Sequence, residues 1–184
     1  DGETIAFTSL RNNGTPQIHW LDLAGGKVTS LAEDPIRSNS YPALSPDGNF
    51  LAYMGADNQI RVMQKDGQNG FLLARNASEF TNSDPIWSPD SRVIVFSQTG
   101  VNLPPWLSAA QYLTEGDIPI KIPDSEYMIE PDYSPDGFWL VITSYWDGQR
   151  DIYIMTPNGV NRHRLTDDVF TDFDPSWQPV LYQP

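Results

Sequence analysis

Tyr41, Asp84, Glu130 and Asp174 each stand immediately before a proline. Those prolines, at 42, 85, 131 and 175, are 43, 46 and 44 residues apart. Three carboxylates at one repeated position have a chemistry only if the fold gathers them. Gathered, they would repel one another, which raises their pKa values or demands a cation. Carboxylate, carbonyl and water oxygens suit Ca2+ or Mg2+. Asp84, Glu130 and Asp174 are thus candidate metal ligands, with Asp132 and Asp172 close by in sequence. The competing reading is that these acids face water and cap turn N–H groups. No EF-hand loop or other linear metal motif accompanies them.

Other chemistries find less support. The chain has two histidines and no cysteine. His19 takes the slot held by Arg61 and Tyr153 in neighbouring units, and His163 begins an outer segment beside Arg162 and Arg164. A shared zinc site does not follow from that placement. The absence of cysteine rules out disulfides, thiolate metal sites and a cysteine nucleophile. No nucleophile elbow is present, and the repeated serines belong to turns, so Ser-His-Asp catalysis has no basis. The expectation is a non-enzyme with no catalytic residues, and no cofactor unless Ca2+ binds.

The totals narrow the classes further. At 184 residues the chain fits one domain with a sizeable core. Acidic residues outnumber basic ones 24 to 11, a net charge of −13. There is too little Lys and Arg for a broad nucleic-acid face, and an anionic membrane would repel the chain. The excess fits solubility, or attraction to cations and basic partners. No run approaches the ~20 apolar residues of a membrane helix. The first residue is Asp1 rather than Met, which a removed leader would explain. Asn76-Ala77-Ser78 fits a glycosylation triplet, a pattern too common to weigh.

The elements that must position the four residues repeat with them. The segments Tyr41-Pro42-Ala43-Leu44-Ser45-Pro46-Asp47-Gly48, Asp84-Pro85-Ile86-Trp87-Ser88-Pro89-Asp90-Ser91, Glu130-Pro131-Asp132-Tyr133-Ser134-Pro135-Asp136-Gly137 and Asp174-Pro175-Ser176-Trp177-Gln178-Pro179 align. An apolar strand follows each Asp-Gly turn, at 4–7, 50–53, 93–96 and 140–143, and a second strand follows at 17–21, 59–63 and 151–155. β-branched and aromatic residues fill these runs. Ser-Pro-Asp-Gly is turn chemistry: Pro presets φ, Asp bonds nearby backbone and Gly tolerates positive φ. Sixteen Pro and thirteen Gly favour many short strands over long helices. A period near 44 lies in the range of four-stranded propeller blades.

The pattern resembles the WD40-like Pro-Asp β-propeller repeats of the TolB type. Trp87-Ser88-Pro89-Asp90, Tyr133-Ser134-Pro135-Asp136-Gly137 and Asp151-Ile152-Tyr153-Ile154-Met155 carry the likeness, which covers nearly the whole chain. The resemblance implies an all-β fold of four blades of four antiparallel strands. It also makes the Trp-Ser-Pro segment the innermost strand of its blade. The ring would then close by the C-terminal strand joining the first blade, giving blades at 1–32 with 174–179, 41–75, 84–123 and 130–166. Half of an eight-bladed dimeric ring satisfies the same phase, as does a fragment of a larger ring. Position 41/84/130/174 is implied to sit near one mouth of the channel.

For function, the resemblance implies an exported, periplasmic or extracellular module of the bacterial cell envelope that binds a protein partner, as monomer or homodimer. The alternative is a sensor or ligand-binding propeller with a Ca2+ site at the mouth. In the third blade the stretch 98–107 reads as an enlarged, proline-stiffened loop whose Leu103, Trp106 and Leu107 suit partner contact; otherwise Trp106 folds back over the blade edge. Trp146 and Arg150, in the fourth-blade loop, are further partner candidates together with Tyr41.

Overall fold

The computed structural model describes residues 2–11, 13–31, 38–75, 77–112, 116 and 118–178. Asn76 of the glycosylation triplet, and Pro179, the last residue assigned to the first blade, lie outside them. The described residues contain strands and no helix.

Among the described residues, fifteen strands form four antiparallel sheets, each a meander in chain order. The first holds β1 (Thr4–Ser9), β2 (Gln17–Asp22) and β3 (Val28–Ser30). The second holds β4 (Ser40–Leu44), β5 (Phe50–Met54), β6 (Ile60–Gln64) and β7 (Phe71–Leu72). The third holds β8 (Phe80–Trp87), β9 (Val93–Gly100), β10 (Trp106–Gln111) and β11 (Ile120–Lys121). The fourth holds β12 (Met128–Tyr133), β13 (Leu140–Ser144), β14 (Asp151–Met155) and β15 (His163–Arg164).

The core lies between sheets. Ile18 of the first sheet packs with Leu51 and Met63 of the second. Ala52, Ile60 and Val62 meet Trp87, Ile94 and Phe96 of the third. Val95 and Leu107 meet Met128, Leu140, Ile142 and Met155 of the fourth. Alternation along each strand sends successive side chains to opposite faces, so a middle sheet feeds two of these layers at once. Trp87 also donates its Nε1–H to the Ala43 carbonyl at 2.9 Å, tying one innermost strand to the one before it.

The Ser-Pro-Asp turns are built alike in three sheets. Ser45, Ser88 and Ser134 each donate Oγ–H to the Asp two residues on at 2.6 Å. Each Oγ also accepts from a backbone N–H five residues on, at 2.9 Å. The serine hydroxyl holds Asp47, Asp90 and Asp136 below the usual carboxylate range.

Two expectations need correction. First, the first sheet has three strands, and the 174–178 segment is not laddered to β1 among the described residues. No strand of the first sheet packs extensively on one of the fourth, so closure through that segment is not seen. The segment instead bonds to the fourth sheet, because Glu130, Asp132 and Thr143 offer oxygen acceptors for its N–H and O–H donors. Second, the enlarged loop of the third blade is short: β9 runs to Gly100 and β10 starts at Trp106. Leu107 is 0% exposed within the third core layer, not a surface residue.

Two outcomes follow. Leu107→Ala should cost about 2–5 kcal/mol in urea unfolding. Ser88→Ala should cost about 1 kcal/mol at neutral pH. A carboxyl whose folded pKa is lowered adds stability above its unfolded pKa, and that stability is lost as pH falls through the folded value. The Ser88→Ala deficit should therefore shrink as pH falls through and below the ordinary aspartate range, measured by the same melts.

Candidate functional site

The four repeated positions converge. Tyr41, Asp84, Glu130 and Asp174 line one cavity of about 260 Å³, together with Pro42, Pro85, Pro131, Pro175, Asp132 and Ser176. Asp172 is not among the lining residues; its N–H bonds the Arg150 carbonyl at 3.0 Å.

A backbone irregularity aims these side chains. The pairing of β4, β8 and β12 with their neighbours slips between Ser40 and Ala43, Ser83 and Ile86, and Ile129 and Asp132. Such a bulge lets two residues oppose one and re-aims a side chain. At its centre Tyr41, Asp84 and Glu130 have φ of 54°, 50° and 55°, and Asp174, which lies in no strand, shares this conformation at 56°. That left-handed conformation costs a non-glycine residue about 1 kcal/mol or more, and strain of this kind gathers at binding sites. The following proline has no N–H, so the bulge leaves one fewer donor to satisfy.

Hydroxyls of neighbouring strands hold the strained residues. Glu130 N–H donates to Ser97 Oγ at 3.1 Å, and Asp174 N–H donates to Thr143 Oγ1 at 3.0 Å. Thr143 Oγ1–H in turn donates to Glu130 Oε2 at 2.7 Å, which also accepts from Asp174 N–H at 3.0 Å. Asp132 Oδ2 accepts from Ser176 Oγ at 3.0 Å and from Trp177 N–H at 2.8 Å. Ser83 Oγ–H donates to Asp84 Oδ2 at 2.7 Å.

Burial pushes the Asp84 carboxyl above the usual carboxylate range; the Ser83 and Ser97 hydroxyls pull it back, while the charges of Glu130 and Asp174 push it further up. Among the described residues the ion pairs lie elsewhere, at Arg61–Asp57, Arg92–Asp90, Lys121–Glu126 and Arg164 with Asp147, Asp151 and Asp167. The described residues contain no group of three or more His, Cys, Asp or Glu arranged to hold a metal ion. Two of the carboxylates near the mouth, those of Glu130 and Asp132, are engaged in fastening 174–177.

The partner candidates divide. Leu103 is 52% and Trp146 54% exposed, and Arg150 is exposed. Trp106 folds back: it meets Phe80 edge-on at 5.5 Å, bonds Ser108 Oγ at 3.0 Å and carries Lys121 Nζ 5.4 Å from its ring. Trp146 meets Tyr127 edge-on at 5.3 Å, with Arg162 5.5 Å from its ring. Tyr127 also meets Tyr145 edge-on at 5.6 Å and has φ of 64°. Tyr127 and Tyr145 were not legible as site residues, since neither occupies a repeated position. His19 is buried on Phe7, with Nδ1 3.1 Å from the Gln17 carbonyl, and His163 lies on β15, so neither histidine lines the cavity.

The comparisons agree with the repeat. No family model matches. A TolB homologue of Chlorobium luteolum is 29% identical over 180 residues, 97% of this chain and 30% of its own length. An uncharacterized protein of Agrobacterium fabrum is 25% identical over 174 residues, 91% of this chain and 57% of its own length. The chain thus spans only part of these relatives. Among solved structures, TolB from Acinetobacter baumannii superposes with a TM-score of 0.82 at 21% identity, covering 97% of this chain and 44% of that one. An oligogalacturonate lyase in complex with manganese superposes at 0.69 with 16% identity, covering 89% and 49%. The backbone is a TolB-type β-propeller fold, shared by proteins with differing functions.

The like-charge environment of Asp84 makes a checkable case. A carboxyl raised in the folded state disfavours folding once pH passes its unfolded value. Asparagine keeps an acceptor for Ser83 and tolerates positive φ. Asp84→Asn should unfold at higher denaturant than the parent at pH 7, with the gap closing near pH 3.

Proposed function

We propose that this chain is a non-catalytic protein-interaction module of the bacterial cell envelope, TolB-like and periplasmic, that meets its partner with the face around the shared mouth. The observation that carries this is the convergence of four repeated, backbone-strained positions on one cavity. Sequence likeness to a TolB homologue along nearly the whole chain supports the compartment and the role. Exposed Tyr41, Leu103 and Trp146 supply apolar and aromatic contact area, the kind that anchors protein interfaces. No helix among the described residues is long and apolar enough to cross a membrane.

A second reading, a ligand or sensor site holding Ca2+ at the mouth, draws on the upward push that Glu130 and Asp174 exert on Asp84. Calorimetric titration with Ca2+ separates the two: saturable heat lost in Asp84→Asn would favour the cation, and no heat would favour the protein partner.

Photo-crosslinking tests the interaction reading. A crosslinker at Tyr41 or Trp146 should capture one discrete envelope protein from cells, while one at Lys65, on the far side of β6, should capture none. Equal capture from all three positions, or from none, would contradict it.

A further inference from the structure

The sheets match position by position, so the gap between the second and third can be set against the gap between the third and fourth. Strand register gives the equivalences. Leu51 opposes Met63, Ile94 opposes Ala110 and Leu140 opposes Met155. One residue earlier on each strand, Phe50 matches Val93 and Val62 matches Ala109. Val62 opposes Phe71 and Ala109 opposes Ile120, so Phe71 matches Ile120. Two residues beyond Ala110 and Met155 stand Tyr112 and Pro157, which match in turn.

Between the second and third sheets these positions fill the gap with rings. Phe50, Val62, Phe71 and Tyr112 belong to one packed layer. The Tyr112 ring reaches across from the third sheet, with its centroid 4.6 Å from Phe50, 6.2 Å from Phe71 and 5.4 Å from Trp87. Between the first and second sheets, Trp20 stands at the position of Ala109 and packs against the layer of Ile18, Leu51 and Met63.

Between the third and fourth sheets each of the four residues is smaller: Val93 for Phe50, Ala109 for Val62, Ile120 for Phe71 and Pro157 for Tyr112. These four line a cavity of about 610 Å³, within the ~300–1,000 Å³ range of small-molecule sites. Ile122, 3% exposed, also lines it, while Ile118 and Ile120, 82% and 76% exposed, open it to solvent. Gly159 fixes the wall that carries Pro157. Its φ is 88°, and a Cβ there would sit 2.3 Å from the Pro123 carbonyl oxygen, so the turn rests directly on Pro123. That backbone contact keeps the wall from moving in to close the gap. Lys121 is the one charged residue of the lining, and its ammonium is already engaged by Glu126 and the Trp106 ring. With a net charge of −13 on the chain, nothing here favours an anionic ligand.

We propose that this cavity binds a small uncharged aromatic molecule, one ring or two fused rings, seated where Tyr112 sits in the preceding gap. An aromatic ring offers much apolar area at little conformational cost and packs tilted or edge-on against its neighbours, as Tyr112 does. The cavity shares no lining residue with the mouth and stands apart from the partner proposed there.

The probes are p-cresol, which is the tyrosine side chain as a free molecule, and indole, each titrated into isotope-labelled protein and followed by NMR. Saturable shifts should centre on the methyls of Val93, Ala109 and Ile120. Ile120→Phe restores, at an exposed site, the ring found at Phe71, and Ala109→Ile restores the bulk found at Ile154. Each should weaken binding about tenfold or more while urea unfolding stays cooperative. Ile120→Phe carries the comparison alone if Ala109→Ile does not fold. The ring-free n-hexanol should bind about tenfold more weakly than p-cresol. No saturable shift with either probe, shifts centred on Trp146 or the mouth, or affinity unchanged in Ile120→Phe would overturn the proposal. n-Hexanol binding as tightly as p-cresol would overturn the aromatic class.

Discussion

The second and third sheets each have two apolar faces, and neither can bury both by itself. The solution is to stand sheets side by side, so that each layer of side chains is shared by two neighbours. Phe96 and Val95 are adjacent in β9 yet serve different layers, one with the second sheet and one with the fourth. The repeat length follows from this need: each unit must supply enough strand to cover the one before it and be covered by the next.

Packing alone would leave the sheets free to slide. Two polar devices fix them. The Ser-Asp turn sets where each innermost strand ends and the next begins, and Ser91 Oγ accepts the Asp47 N–H at 3.1 Å, linking the turns of successive sheets. At the other end, Ser97 holds the N–H of Glu130, the next sheet's left-handed residue, and Thr143 that of Asp174. The mouth is therefore a product of the same contacts that register the blades. Its acids come together because the repeat brings every innermost strand to one axis.

Much of this was legible in the sequence. The proline spacing gave four units, the Asp-Gly turns gave the strand boundaries, and the residue before each proline marked the cavity lining. What escaped did so for physical reasons. Pro104-Pro105 mark a loop, and that signal hid the start of β10 at Trp106. Leu107 therefore passed for a loop residue. The Tyr127–Tyr145–Trp146 cluster joins two loops, a pairing no single stretch announces. The place of 174–178 depended on which sheet would take it, and its hydrogen bonds to Glu130, Thr143 and Asp132 belong to the folded chain only.

The central claim is that the repeat gathers Asp84, Glu130 and Asp174 at one mouth. Carbon-13 NMR of the Asp84 carboxyl through an acid titration tests it most directly, in the parent and in Glu130→Gln. The account predicts a midpoint above the ordinary aspartate range that moves down when the Glu130 charge is removed. An ordinary midpoint, indifferent to Glu130, would contradict it.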